Sequence, residues 1–272
     1  MAHTLTRVTA DVAVIGGSGL YTLFADGDGV EEYVATPYGP TVTVTIGRLG
    51  GRMVAFVPRH GTDHSVPPHR LDARATIWAL ASLGVRVLIS TAAVGSVNPG
   101  HVVGAMVVAD QLVERTHGRA DTFFDGRVVR HLPFSDPFSP ALRELALRAC
   151  PELNDGATVL VIQGPRFSTR AESRINRALG IDLINMTLYP EVALAAELGI
   201  DTIALCVVTD VDSGETEAEA VTAEVVFARL DDARPVLISS IERIVAAVPG
   251  DYAPRALIDV DAVASVLETS VR

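Results

Sequence analysis

The sequence predicts an α/β fold: a single domain with a central mixed, largely parallel β-sheet, a smaller antiparallel sheet, and helices on both sides. Three observations predict it. Short runs rich in Val and Ile end at small or turn residues, as buried strands do. Helical patterns punctuated by Pro and Gly lie between them, and strand–helix alternation implies parallel pairing covered on both faces. One stretch, 42–46, instead alternates on a period of two (Val42, Val44, Ile46), the mark of an antiparallel meander.

Taken in order, residues 1–8 begin the chain with a polar segment expected to be a flexible N-terminus. Buried strands are read at 12–15, 53–57, 87–89, 159–162 and 203–208. The first helix is read over 70–83, where Leu71, Ala75, Trp78 and Ala81 recur at three-to-four spacing before Gly84. A second occupies 191–198, with Pro190 at its start and Gly199 past its end. A third, 236–248, follows Pro235 and keeps its apolar positions on one face. Residues 251–272 carry a weaker pattern (Ala256, Val260, Val263, Val266, Leu267) and read as a C-terminal helical tail, packed on this subunit or on a neighbour. No repeat or linker divides the chain, and 272 residues suffice for one large core, so 1–272 is read as one domain.

Composition excludes several functions. With 49% hydrophobic and 20% charged residues the chain has a globular composition. No apolar run approaches the roughly 20 residues of a membrane span, and the start MAHTLTR lacks a signal-peptide core, so the expected location is the cytoplasm. The net charge of −11 argues against a phosphate-backbone binder, so nucleic acid is not an expected partner. Cys150 and Cys206 sit in apolar contexts without metal spacing and read as buried thiols. Every basic residue other than His is Arg; the absence of Lys removes a Walker lysine, a pyridoxal Schiff base and any lysine-based covalent catalysis. Any anion held here must be held by Arg, His, hydroxyls and backbone N–H groups.

Six short segments could carry chemistry, and nearly all follow a strand, where ligands of open α/β sheets gather. Gly16-Gly17-Ser18-Gly19 is a tight turn able to aim N–H groups and a hydroxyl at an anion; the dinucleotide pattern fails because position 22 is Thr. Pro58-Arg59-His60-Gly61 offers a fixed positive charge and a second donor. His60 and His64 are four apart, as metal ligands on a helix would be, but Gly61 and Pro67-Pro68 argue against that helix, and no metal is expected. Residues 90–96, read as the mouth of the preceding strand, are small enough to let a ligand approach the backbone. Gln163-Gly164-Pro165-Arg166-Phe167-Ser168 sets a ring after a strand, Asn185-Met186-Thr187 precedes a helix, and Thr209-Asp210-Val211-Asp212 ends an apolar strand in two carboxylates. Each alone also reads as an ordinary loop, and His69 and His131 as packing or surface polarity.

Together these stretches resemble the trimeric purine nucleoside phosphorylase family, most closely its 5′-methylthioadenosine phosphorylase branch, over about residues 12–230. The specific signal is GPRFSTRAES at 164–173, followed by the Asn185-Met186-Thr187 stretch, Pro190-Glu191 and the Asp210/Asp212 pair. The resemblance implies a nucleoside phosphorylase-like fold and a reaction in which inorganic phosphate, a co-substrate, attacks C1′ of a purine nucleoside. It implies a homotrimer and no cofactor. Phosphate would be held by Ser18, Arg59, His60, the backbone of Ala93, and Thr187. Ribose would meet Met186 and the purine the Phe167 ring, with Asp210 facing N7 and Ser168 and Asp212 near the 6-position. Val226 would line the substrate pocket, and His131 and Leu267 would sit near the 5′-substituent, donated across a subunit boundary. His60 and Asp210 are the implied catalytic residues.

The departures bear on specificity. Ser18 and Ala92 stand where the branch usually has Thr, Ala223 where it tends to have Val, and 214–223 is acidic and small. The related 6-oxopurine enzymes carry Asn at the place of Asp210 and Glu at that of Ser168, so a 6-aminopurine is expected here. The expected function is 5′-methylthioadenosine phosphorolysis in purine and methionine salvage. The alternatives are a broader phosphorylase acting on adenosine, inosine or 5′-methylthioinosine, a nucleosidase using water, and a nucleotide-binding regulatory module without catalysis.

Overall fold

The computed structural model describes residues 9–25, 27–126, 129–213 and 221–271. The expected flexible segment 1–8 and most of the acidic stretch 214–223 lie outside them. Eleven strands form one sheet among these residues. β1 (Val12–Gly16) pairs in parallel with β4 (Arg52–Pro58) and with β5 (Val87–Ser96). The expected meander is β2 (Gly29–Val34), β3 (Val42–Leu49) and β4, antiparallel throughout and continuous with the parallel sheet through β1. On one side of β5 the sheet runs on through β10 (Leu183–Asn185), β9 (Thr158–Ile162) and β7 (Gln111–Arg115). On its other side lie β11 (Asp201–Asp210), β6 (Met106–Val108) and β8 (Asn154–Asp155).

The helices cover both faces, and β1 shows why its sequence is apolar throughout. Ala13 and Ile15 point into a core shared with α1 (Ala73–Ser82) and α4 (Leu188–Glu197), whereas Val12 and Val14 face α2 (Pro140–Ala149) and α5 (Ala223–Ala247). The remaining helices are α3 (Arg170–Ala178) and α6 (Val260–Leu267). The tail packs on its own subunit: the Trp78 indole donates to the Val266 carbonyl at 3.0 Å, and Val266 joins the α1 core.

Several boundaries differ from expectation, each for a physical reason. The helix read from 70 is a single 3₁₀ turn at Pro68–Arg70 followed by α1. Glu191 does stand just inside regular helix, because Tyr189 (φ −108°, ψ 135°) breaks α4 before Pro190. The helix read from 236 starts thirteen residues earlier, at Ala223, with Pro235 in its interior. A proline there removes one hydrogen bond, but Leu230, Leu237, Ile241 and Ile244 bury one continuous face across it. α3 opens on a capping box that its sequence spells: Thr169 accepts from the Glu172 N–H at 3.2 Å and Glu172 from the Thr169 N–H at 2.7 Å.

The largest difference shapes the site. Residues 90–96, read as a loop, continue β5 to Ser96, and β11 likewise runs to Asp210. β5 changes neighbour along its length. β1 pairs with it from Val87 to Ser90, and antiparallel β10 pairs with it at Gly95 and Ser96. Between these ladders the edge at 91–94 belongs to neither strand. Side chains bridge the gap: the Thr91 hydroxyl accepts from the Gly17 N–H at 2.8 Å and donates to the Ile15 carbonyl at 3.2 Å. Replacing Thr91 by Val should therefore leave the buried Gly17 N–H unpaired and destabilise the protein by about 1–3 kcal/mol in urea unfolding, whereas Thr91→Ser should recover most of the loss.

Candidate active site

The open edge of β5 forms the floor of a cleft of about 290 Å³. β1 and β4 supply one end of it. A Cβ at Gly17 would lie 2.6 Å from the Thr91 carbonyl oxygen and 3.0 Å from the Arg59 Nη1, so glycine is what lets the guanidinium close on the turn. Ser18, in the same turn, lines the cleft.

Arg59 is the anchor of this end. Its Nε and Nη2 donate to the two oxygens of Glu191 at 2.8 and 3.0 Å, its Nη2 also to Ser90 Oγ at 2.8 Å, and its Nη1 to the Thr91 carbonyl at 2.8 Å. Ser90 in turn donates to Glu191 at 2.5 Å. Both charged side chains are nearly sealed, 4% and 6% exposed, so the fork-on-fork geometry offsets the cost of burying them. One Nη1 hydrogen is left over from these bonds, beside the glycine turn. Glu191 and Ser90 stand in segments the sequence marks, but it gives neither a role beside Arg59, because no spacing rule links Arg59 to a residue 132 positions away.

His60 is 5% exposed, and its pKa is lowered to about 4, first by burial and then by the Arg59 charge. Its Nδ1 lies 2.8 Å from the Val66 carbonyl, an acceptor only, so Nδ1 carries the proton and Nε2 presents a lone pair. The expected second donor is thus an acceptor in the neutral ring, suited to the hydroxyl of a protonated oxyanion. His64, read above only for metal spacing, lines the cleft with its ring centroid 4.5 Å from that of His60 and edge-on to Phe227. Among the described residues no group of three or more His, Cys, Asp or Glu is placed to hold a metal ion.

The middle of the cleft is fixed by Asn185, which links β10 to β5 and to α4. Its Nδ2 donates to the Ala93 carbonyl at 3.1 Å, while its Oδ1 accepts from the Thr187 and Leu188 N–H groups at 2.7 and 2.8 Å. Ala93, Met186 and Thr187 consequently face the same space.

At the far end β11 delivers two carboxylates. Its register with β5 shifts between Val208 and Asp210, a bulge that re-aims the strand end. A Cβ at Gly95 would lie 2.6 Å from Asp210 Oδ1 and 2.9 Å from the Asp212 Cα, so β5 must be bare where the acids cross it. The Thr209 hydroxyl reaches Asp210 Oδ2 at 2.7 Å and the Val94 carbonyl at 3.3 Å, its single proton serving one at a time. Burial nevertheless pushes the Asp210 pKa up to about 6, with Asp212 adding to the rise. Asp212 is buried at φ 53°, a left-handed conformation uncommon outside glycine. Burial raises its pKa too, opposed by the Ser173 and Ser168 hydroxyls. These hydroxyls stand close to Asp212, yet Ser168 Oγ and Asp212 Oδ2 are each left without an aligned partner among the described residues, ready for a ligand's donor and acceptor.

Phe167, 40% exposed, and Ser168 form one wall, and Ala223, Val226 and Phe227 of α5 another. The cleft therefore gathers all the expected site residues except two. His131 is exposed, and Leu267 packs with α6 against the α1 core; neither lines the cleft of its own chain.

The chain is similar to known proteins in sequence and in fold. The sequence profile of the phosphorylase superfamily matches residues 11–246. An S-methyl-5′-thioadenosine phosphorylase of Mycobacterium tuberculosis (strain ATCC 25618 / H37Rv) is 50% identical over 218 residues, 80% of this chain and 81% of the relative. A purine nucleoside phosphorylase of Streptomyces coelicolor is 43% identical over 252 residues, 86% of this chain and 89% of the relative. Among solved structures, a methylthioadenosine phosphorylase from Schistosoma mansoni in complex with adenine superposes with a TM-score of 0.85 at 30% identity, covering 95% of this chain and 98% of that one.

The raised pKa of Asp210 has a consequence for stability. Its ionised form is disfavoured in the folded state, so the fold gains from the protonated acid at low pH and loses that gain as pH rises from about 4 through about 6. Asp210→Asn should accordingly be more stable than the parent above pH 6, by about 1–3 kcal/mol in denaturant titrations, with the difference shrinking at pH 4.

Proposed function

The chain belongs to the phosphorylase superfamily, and on that premise we propose that it cleaves 5′-methylthioadenosine with inorganic phosphate, giving adenine and 5-methylthioribose 1-phosphate. It is then a pentosyltransferase of the purine nucleoside phosphorylase type. One observation carries the reading: a single cleft holds an anion cradle around Arg59 at one end and a protonatable buried carboxyl, Asp210, at the other.

Phosphate lies between Ser18, Arg59, His60, the Ala93 N–H and Thr187. Because Glu191 balances the Arg59 charge, the bound anion keeps most of its own negative charge. That charge faces C1′ as the glycosidic bond lengthens and the ribosyl ring turns cationic, and the same anion then attacks. The neutral His60 Nε2 takes up a phosphate hydroxyl and turns an unprotonated oxygen toward the sugar. The Met186 backbone meets the ribose hydroxyls, and the Phe167 ring lies against the purine. The base leaves with negative charge, which Asp210 relieves by giving its proton to N7; such acid help is typically worth on the order of 10²–10⁴-fold. Ser168 and Asp212 receive the 6-amino group, since a carboxylate accepts from an amine and repels a 6-oxo oxygen.

A broader phosphorylase is the second reading. Ala223 lines the cleft beside Val226, and its small side chain leaves room at the expected 5′ end for groups other than methylthio. With the main reading go a homotrimer, a place in purine and methionine salvage, and a cytoplasmic location, all supported by the family resemblance. The trimer has a further support: His131 and Leu267, expected at the 5′ end, lie away from the cleft of their own chain and need a neighbour to reach one.

Incubation with 5′-methylthioadenosine should release adenine only when phosphate is present. Release without phosphate would indicate a nucleosidase, and binding without release a regulatory module. For the free enzyme, kcat/KM should fall as pH rises through about 6, where Asp210 loses its proton. Asp210→Asn should lack that limb, lose about 10²–10⁴-fold in kcat/KM on the aminopurine, and shift selectivity toward 6-oxopurines.

A further inference from the structure

Arg119 lies just beyond β7, is half-buried, and does not line the cleft. All five of its N–H bonds nevertheless find acceptors. Nη1 donates to the carbonyls of Met186 at 3.0 Å and Tyr189 at 2.5 Å. Nη2 donates to the carbonyl of Gln163 at 2.9 Å and, at the 3.5 Å limit, to that of Ile162. Nε reaches Gln163 Oε1 at 3.3 Å. Gln163 is itself buttoned to the same segment, accepting from the His117 N–H and donating to the His117 carbonyl, both at 3.1 Å.

Every acceptor is an uncharged oxygen, and they belong to two stretches of chain. Ile162 and Gln163 lead into Phe167 and Ser168, the wall assigned to the base. Met186 and Tyr189 flank Thr187, assigned to the phosphate. We propose that Arg119 is a positioning residue that sets the spacing between the purine wall and the phosphate wall, and thereby the alignment of phosphate, C1′ and N7. The proposal rests on the phosphorolysis reading. A planar fork suits it: the guanidinium's five N–H donors serve both stretches at once, whereas lysine has three donors on one atom and must leave at least two of the five contacts unmade. Breaking the arrangement would leave the partly buried carbonyls it serves short of donors.

Arg119→Lys and Arg119→Ala, checked by thermal unfolding, provide the test. Hydrogen exchange reads the clasp without any need for turnover: faster exchange should be confined to 163–168 and 186–189. In steady-state assays kcat for 5′-methylthioadenosine should fall about 10- to 100-fold in both variants, as small misplacements cost, with the KM for phosphate changing by less than about threefold. Millimolar guanidinium should restore part of kcat in Arg119→Ala, saturably, where equal sodium chloride does not. Arg119→Lys retaining the parental kcat, unchanged exchange in both stretches, or a loss of activity matching only a loss of folded protein would overturn the proposal. If the parent protein itself releases no adenine, the phosphorolysis reading fails, and the exchange pattern alone decides whether the clasp exists.

Discussion

Strand β5 can pair with only one neighbour at each point of an edge, and the need to satisfy its backbone where the neighbours change organises the molecule. β1 leaves it after Ser90 and β10 joins it at Gly95. Buried peptide groups do not stay unpaired, so the intervening edge must find other partners. It finds them in side chains: Arg59 on the Thr91 carbonyl and Asn185 on that of Ala93. The groups that close the fork are thereby the same ones that frame the cleft. Binding surface and sheet integrity cannot be separated here.

The electrostatics follow the same economy. A chain without lysine holds its deepest positive charge on a guanidinium, whose planar fork can engage a carboxylate, a hydroxyl and a carbonyl together. Pairing with Glu191 makes Arg59 tolerable in a sealed site, and directs rather than floods the field there. At the opposite end burial and a second carboxylate outweigh the hydrogen bonds from Thr209 and the Asp212 backbone, and Asp210 holds its proton to about pH 6. The two carboxylates thus differ in their surroundings: Glu191 is paired with a guanidinium, and Asp210 stands buried beside a second carboxylate.

Particular elements show how far the sequence could be read. β1, β4 and the meander at 42–46 followed from apolar runs and a period of two, since those signals are local. The glycine turn, the Arg59-His60 pair and the Asp210/Asp212 pair were visible because each ends a strand, and family resemblance supplied their grouping. β5 beyond Ile89 was missed because Ser, Thr, Ala and Gly lack the bulk that marks a strand; there smallness serves the close crossing of Asp210 at Gly95. α5 was cut short at Pro235 because local rules penalise an interior proline that a 25-residue helix with one long buried face can absorb.

Composition, strand–helix alternation and the punctuation of turns determined the α/β class, the absence of lysine chemistry and the strand ends at which side chains would gather. These depend on neighbours a few residues apart. The tertiary structure alone decided the partners: Glu191 on Arg59, Thr91 under Gly17, Asn185 between β5 and α4, and the lone pair rather than the proton on His60 Nε2. Such choices depend on which backbone groups the forked sheet leaves without a strand, and that is settled only when segments distant in the chain are brought within hydrogen-bonding reach.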